Sequence, residues 1–109
     1  MSEMRIILVG FGNVAKALVR LLERKQNVLQ KDFGITTKIV GIATARHGMA
    51  INPNGIDGEE AIRIASAGGS LETLSKTPPP AYVIELINSC PADVLFETSP
   101  VNHHTGQPP

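Results

Sequence analysis

Apolar and polar positions change period several times along the chain, and each change marks an element. Ile6, Ile7, Leu8 and Val9 form an unbroken apolar run, the mark of a strand covered on both faces. Val14, Leu18, Leu21, Leu22, Val28, Leu29 and Phe33 then recur at helical spacing and predict one long helix whose apolar stripe reaches Phe33. Gly34 is the expected stop, with Ile35 folding back on the last turn. Lys16, Arg20, Glu23 and Lys31 fall on the other face and read as a solvated surface. Ile39, Val40, Ile42 and Ala43, within 38–44, predict a second strand buried on both sides. Two strands joined through a helix make a right-handed parallel crossover the default.

Beyond the second strand the punctuation is denser. Residues 49–56 read as a short excursion around the turn Asn52-Pro53-Asn54-Gly55. Asp57, with Glu60 at the capping-box position, opens a short helix that ends at Gly68-Gly69. One more helical turn is expected over 70–74, and Pro78, Pro79 and Pro80 then start a new element. Tyr82, Val83, Leu86 and Ile87 share one face of a helix ending near Cys90-Pro91, and 94–97 is a third strand. The loop 98–102 leaves the carboxyl end of that strand, where ligands sit in an open parallel sheet. The order predicts an α/β fold with a Rossmann-like parallel sheet. Residues 1–109 form the N-terminal βαβαβ half of a dinucleotide-binding domain.

Composition removes several function classes. With 10 basic and 10 acidic residues the formal net charge is zero, which gives no electrostatic reason to expect nucleic acid or a membrane surface as partner. No apolar run approaches the roughly 20 residues of a spanning helix, and the N-terminus lacks a signal-peptide pattern, so a cytoplasmic location is expected. Cys90 is the single cysteine, which excludes an intrachain disulfide and a cysteine-cluster metal site and leaves a structural thiol. His103 and His104 are adjacent, and neighbouring side chains diverge, unlike the i, i+4 pair of a zinc helix. The carboxylates of Asp57, Glu59 and Glu60 are explained by capping and the helix dipole. The expectation is therefore no metal ligand and no catalytic residue in this chain.

Binding chemistry concentrates where the first strand meets the first helix. Gly10, Phe11, Gly12, Asn13, Val14 and Ala15 spell G-x-G-x-x-A between the two. Gly10 suits the tight turn, Gly12 lets backbone approach a pyrophosphate, and Ala15 lets helix pack closely on strand. The free N–H groups of the helix start face the anion. At the end of the second strand, an acid would bond the adenosine ribose of NAD. Thr44, Ala45, Arg46 and His47 stand there instead. Thr44 and Arg46 are thus candidates for a 2′-phosphate, and NADP is expected ahead of NAD.

Taken together, residues 5–15, the helix to Phe33-Gly34, the strand Ile39-Val40-Gly41-Ile42-Ala43 and the segment 92–102 resemble the N-terminal portion of homoserine dehydrogenases. The resemblance covers nearly the whole chain. In that family an acid, Thr or Ser, Pro or Thr, and an Asn close the third strand beside the nicotinamide ribose, which maps onto Glu97, Thr98, Ser99, Pro100 and Asn102. The resemblance implies interconversion of L-aspartate 4-semialdehyde and L-homoserine with NAD(P)H, on the route to threonine, methionine and isoleucine. Ala15 departs from the glycine of many members, and a methyl still fits a contact of this kind. The family's Asn-Lys segment, substrate-binding acids and second catalytic lysine lie beyond residue 109. The resemblance therefore implies a chain that holds half a cofactor site and no substrate site and is inactive alone; a third strand without the second half leaves an unpaired edge and uncovered apolar surface, so self-association or pairing with a C-terminal part is expected. The alternative is a stand-alone NAD(P)-binding or sensing module acting through a partner chain.

Overall fold

The computed structural model describes residues 2–44, 47–76, 78, 82–89 and 92–98; Arg46, Cys90, Ser99, Pro100, Asn102, His103 and His104 lie outside the described residues. A four-stranded sheet runs in the order β3-β2-β1-β4. Its strands are β1 (Ser2–Val9), β2 (Ile35–Ala43), β3 (Met49–Ile51) and β4 (Val94–Glu97). β1 is parallel to both β2 and β4, as the α/β pattern predicts. β3 was expected only as part of a turn excursion, yet it pairs antiparallel with β2, Ile42 opposite Ala50 and Ala43 opposite Met49. A hairpin this short carries too few residues for alternation to register in the sequence.

β2 begins three residues earlier than its apolar run suggests. Ile35 pairs with Ser2 instead of folding back on the helix, because β1 offers backbone partners down to its first turn. The register slips between Ile6, opposite Ile39, and Ile7, opposite Gly41. Val40 is the extra residue of this bulge, and the bulge resets which side of the sheet each later side chain faces. Ile39 and Ile42 consequently join one core, while Val40 and Ala43 join the other.

The single long helix is two. α1 (Asn13–Arg24) and α2 (Gln26–Phe33) meet at Lys25, whose backbone (φ −94°, ψ 4°) leaves the helical region. The bend sets Gln26 over β2, where the Thr37 hydroxyl donates to its side-chain carbonyl at 3.1 Å. The buried stripe is also rotated from the expected one. Ala15 and Val19 are buried, with Leu18 and Leu22 packed beside them, whereas Val14 (68% exposed), Leu21, Val28 and Phe33 (67% exposed) face solvent. Helical spacing finds apolar residues but does not choose between two overlapping stripes, and the small side chain of Ala15 wins the sheet-facing position. Gly34 closes α2 in the left-handed conformation, as expected.

α3 (Gly58–Ser66) is capped by Asp57, whose carboxylate accepts from the backbone N–H of Glu59 and Glu60 at 3.0 and 3.3 Å. Glu60 pairs with Arg63 one turn on rather than reaching back to complete a capping box, since a charged partner at i+3 offers the stronger bond. A 3-10 turn, Leu71–Leu74, follows with Ser70 as its cap. α4 (Val83–Ser89) buries Leu86, with Val83 packed on the same cluster. Tyr82, expected on that face, is exposed because it precedes the helix. β4 is docked on β1 by Asp93, which accepts from the Arg5 backbone N–H at 2.9 Å. That bond, and then the nearby Arg5 charge, holds the Asp93 carboxyl below its ordinary value.

Candidate functional site

β1, buried through Ile6–Val9, delivers the chain to the glycine turn in the middle of the sheet. The Gly10 N–H donates to the Ala43 carbonyl at 2.7 Å, which ties the turn to the end of β2. Its φ of 97° lies in the left-handed region, where a side chain would be strained. Phe11 turns inward and anchors the turn in the core. Gly12 then opens α1 in extended conformation, and a Cβ built on it meets nothing within 4 Å. Among the described residues no packing therefore demands glycine at 12; the open space is a shelf over which another molecule can approach.

The helix start is suited to an anion. α1 has no side-chain cap and no acid in its first turn. The first intrahelical bond is Lys16 N–H to the Gly12 carbonyl, which leaves the N–H groups of Asn13, Val14 and Ala15 without helical acceptors. Negative charge is favoured there by these donors and by the helix dipole. Ala15 is fully buried at the close helix–sheet contact, the role expected of it. Lys16 is half-buried rather than solvated, and its ammonium donates to the Ser66 hydroxyl at the end of α3 at 3.2 Å.

Thr98 brings the second sequence cluster to the first. Its N–H donates to the Val9 carbonyl at 2.8 Å, and its hydroxyl lies 3.1 Å from both the Val9 and the Gly10 carbonyls. Residues 88 positions apart in sequence are thereby joined at one backbone turn. Ser99, Pro100 and Asn102 follow Thr98 in the chain but lie outside the described residues.

At the end of β2, Thr44 closes its own turn. Its N–H and hydroxyl both donate to the Gly48 carbonyl, at 3.2 and 2.8 Å, and its oxygen accepts from the His47 N–H at 2.7 Å. The hydroxyl proton is thus committed within the protein. The 3-10 turn is fastened here too, Leu71 N–H donating to the His47 carbonyl at 2.7 Å and the His47 ring nitrogen Nδ1 lying 3.0 Å from the Gly69 carbonyl. Sequence reasoning passes over Glu72, which the 3-10 turn carries against Gly48. Nothing in the linear spacing of 24 residues announces that contact.

Hollows of about 620 and 420 Å³ lie along α1, the first against Arg20, Arg24 and Glu59, the second against Thr37, Lys38 and 54–58. Neither is lined by a residue of the glycine turn. In the groove between α1 and α3 the Glu23 carboxyl is raised above its ordinary value, first by burial and then by the charge and hydrogen bond of Glu59 and the charge of Asp57. Among the described residues no group of three His, Cys, Asp or Glu could hold a metal, and no helix is long and apolar enough to cross a membrane.

No protein-family profile matches the chain. Over 108 residues it is 31% identical to an NAD(+)-dependent homoserine dehydrogenase of Pseudomonas canavaninivorans, covering 99% of this chain. Over 105 residues it is 33% identical to a homoserine dehydrogenase of Methanocaldococcus jannaschii, covering 96% of this chain. The chain spans 31% of the length of each of these relatives. Among solved structures, a hyperthermophilic archaeal homoserine dehydrogenase in complex with NADPH superposes with a TM-score of 0.70 over 89% of this chain and 28% of its own. The homoserine dehydrogenase of Thermoplasma acidophilum superposes with a TM-score of 0.64 over 93% of this chain and 28% of its own. Both are 23% identical to it and share its fold.

Proposed function

We propose that this chain is the NAD(P)-binding portion of a homoserine dehydrogenase, an oxidoreductase interconverting L-aspartate 4-semialdehyde and L-homoserine. The observation that carries the reading is the Thr98 hydroxyl on the Val9 and Gly10 carbonyls, which ties the glycine turn to the residue that follows β4. Sequence similarity to homoserine dehydrogenases along nearly the whole chain supports it.

The residues fit a nicotinamide dinucleotide because the cradle at Gly12 is open and the α1 start is uncapped. In this reading the backbone of Gly10, Phe11, Gly12, Asn13, Val14 and Ala15 holds the pyrophosphate. Arg46 takes the 2′-phosphate, and Thr44, its hydroxyl already donating to Gly48, holds the end of β2 beside it in sequence. Thr98, Ser99, Pro100 and Asn102 border the nicotinamide ribose. When bound, the nicotinamide supplies the hydride for reduction of the aldehyde. The chain's own residues orient the dinucleotide, and the proton donor for the developing alkoxide comes from outside residues 1–109. NADP is preferred to NAD through Arg46.

Calorimetric titration of the purified chain tests this. NADPH binds more tightly than NADH, Arg46→Glu weakens NADPH by roughly tenfold or more with little effect on NADH, and Gly12→Val removes both. A folded chain that binds neither dinucleotide refutes the reading, and reduction of the semialdehyde by the chain alone refutes the missing donor.

A second reading, an NAD(P)-binding or sensing module acting through a partner chain, is favoured by apolar surface left open on one side. Leu95 on β4, which ends the strand order among the described residues, and Tyr82 and Ile84 at α4 are exposed, and exposed apolar side chains of this kind suit a second copy or a complementing C-terminal part. Cofactor-dependent change in solution mass distinguishes it from simple cofactor binding.

A further inference from the structure

We propose that Glu72 is the acid of the adenosine end, a specificity-determining carboxylate that favours an unphosphorylated ribose and weakens binding of a 2′-phosphate. The inference rests on the cofactor reading above and deepens it.

In a dinucleotide fold the end of the second strand decides between a ribose hydroxyl and a 2′-phosphate, usually through an acid in the strand itself. Here β2 ends at Ala43, whose carbonyl holds Gly10, and 44–48 contains no acid. The tertiary structure supplies one from elsewhere. A Cβ built on Gly48 would stand 2.9 Å from both Cγ and Oε2 of Glu72, so the carboxylate occupies the space that the glycine leaves beside the β2 terminus. Three contacts hold it there. Leu71 is fully buried in the core with Ile42 and Ala50, its N–H donates to the His47 carbonyl at 2.7 Å, and the Ser70 hydroxyl donates to Glu72 Oε2 at 3.3 Å. Glu72 itself is solvent-exposed and therefore accessible to a ligand at the end of β2.

The Glu72 carboxylate repels a 2′-phosphate and accepts from a ribose hydroxyl, so it works against the attraction that the cofactor reading above gives to Arg46.

The test uses the full chain with 2′,5′-ADP and 5′-ADP, probes that report the adenosine end without the nicotinamide. Glu72→Gln keeps the shape of the side chain and removes its charge. It should raise the ratio of 2′,5′-ADP to 5′-ADP affinity by about fivefold, the effect of one partly exposed charge. Glu72→Asp should keep the wild-type ratio, and the difference between Glu and Gln should shrink between about 0.02 and 0.5 M salt. Wild-type chain that binds both probes, with an unchanged ratio in Glu72→Gln, overturns the assignment and leaves the cofactor reading standing. A lowered melting temperature with an unchanged ratio likewise overturns it, by showing a purely structural residue. Binding of neither probe by the folded wild type overturns both.

Discussion

On one face of the sheet α1, α3 and the 3-10 turn close over Ile6, Leu8, Ile39, Ile42 and Ala50. On the other, among the described residues, Ile7, Val9, Val40, Ala43 and Ile51 are joined by one buried helical side chain, Leu86, with Val83 packed beside it. Each fully buried aliphatic side chain contributes roughly 1.5–3 kcal/mol, so the first face carries most of the described core. It also carries the site. Phe11, Ala15 and Val19, which fix the glycine turn and the first turns of α1, all belong to that core. The backbone that meets the cofactor in our reading is thus built on the side with the larger described core, while on the other side Tyr82 and Ile84 are exposed. Local opening is expected where few apolar contacts hold an element.

The sharpest way to break this comparison is a matched pair of truncations. Leu8→Ala should cost about 3–5 kcal/mol and, in denaturant titration, leave little folded chain. Leu86→Ala, equally buried, should cost nearer 2 kcal/mol, with hydrogen exchange rising in α4 while β1 stays protected. Equal losses with uniform exchange would mean that the two faces are one cooperative unit.

A second test presses on the closest approach within the heavy face. A Cβ on Gly58 would lie 2.4 Å from Val19 Cγ1 and 3.1 Å from Glu23 Oε1. Gly58→Ala should therefore destabilise by about 1–3 kcal/mol through overpacking, and adding Val19→Ala should return part of the loss. Failure of the second change to help would show that α3 simply moves away.

Thr98→Val probes the seam between the faces, where β4 meets the glycine turn. The methyl replaces a hydroxyl shared by two carbonyls, and the expected loss is about 1 kcal/mol of stability. NADPH affinity should fall with it if the bond positions the turn, whereas stability lost without affinity would make Thr98 a structural clamp only.

The smallest effect concerns charge on the heavy face. With its pKa raised in the folded state, Glu23 binds more protons native than unfolded in the window from the ordinary glutamate value upward. Stability falls as pH rises through that window. Glu23→Gln should stabilise the chain at pH 7 by less than about 1 kcal/mol, because the pair is exposed. The gain should vanish as pH drops below the ordinary glutamate range. A gain that persists at low pH would point to packing instead of repulsion.

Much of the fold was legible locally. The apolar run at Ile6–Val9, the Asp57 cap and the Gly34 stop each depend on residues within a turn of one another, and each appears in the structure where expected. The failures are equally specific. Val14 and Ala15 are adjacent and both apolar, and only the sheet decides that the alanine faces inward. The bulge at Val40 is invisible in a continuous apolar run, because such a run satisfies either register.

What the chain determined by itself is the kind of element and the kind of chemistry. Strand, glycine turn and helix follow from contiguous residues, since small residues, periodicity and caps act over a few positions. What only the tertiary structure decided is which distant groups meet. Thr98 reaches the glycine turn and Glu72 reaches the end of β2 because parallel pairing and a buried Leu71 carry them there. Contacts between groups far apart in sequence depend on register and packing, and neither is written in local spacing.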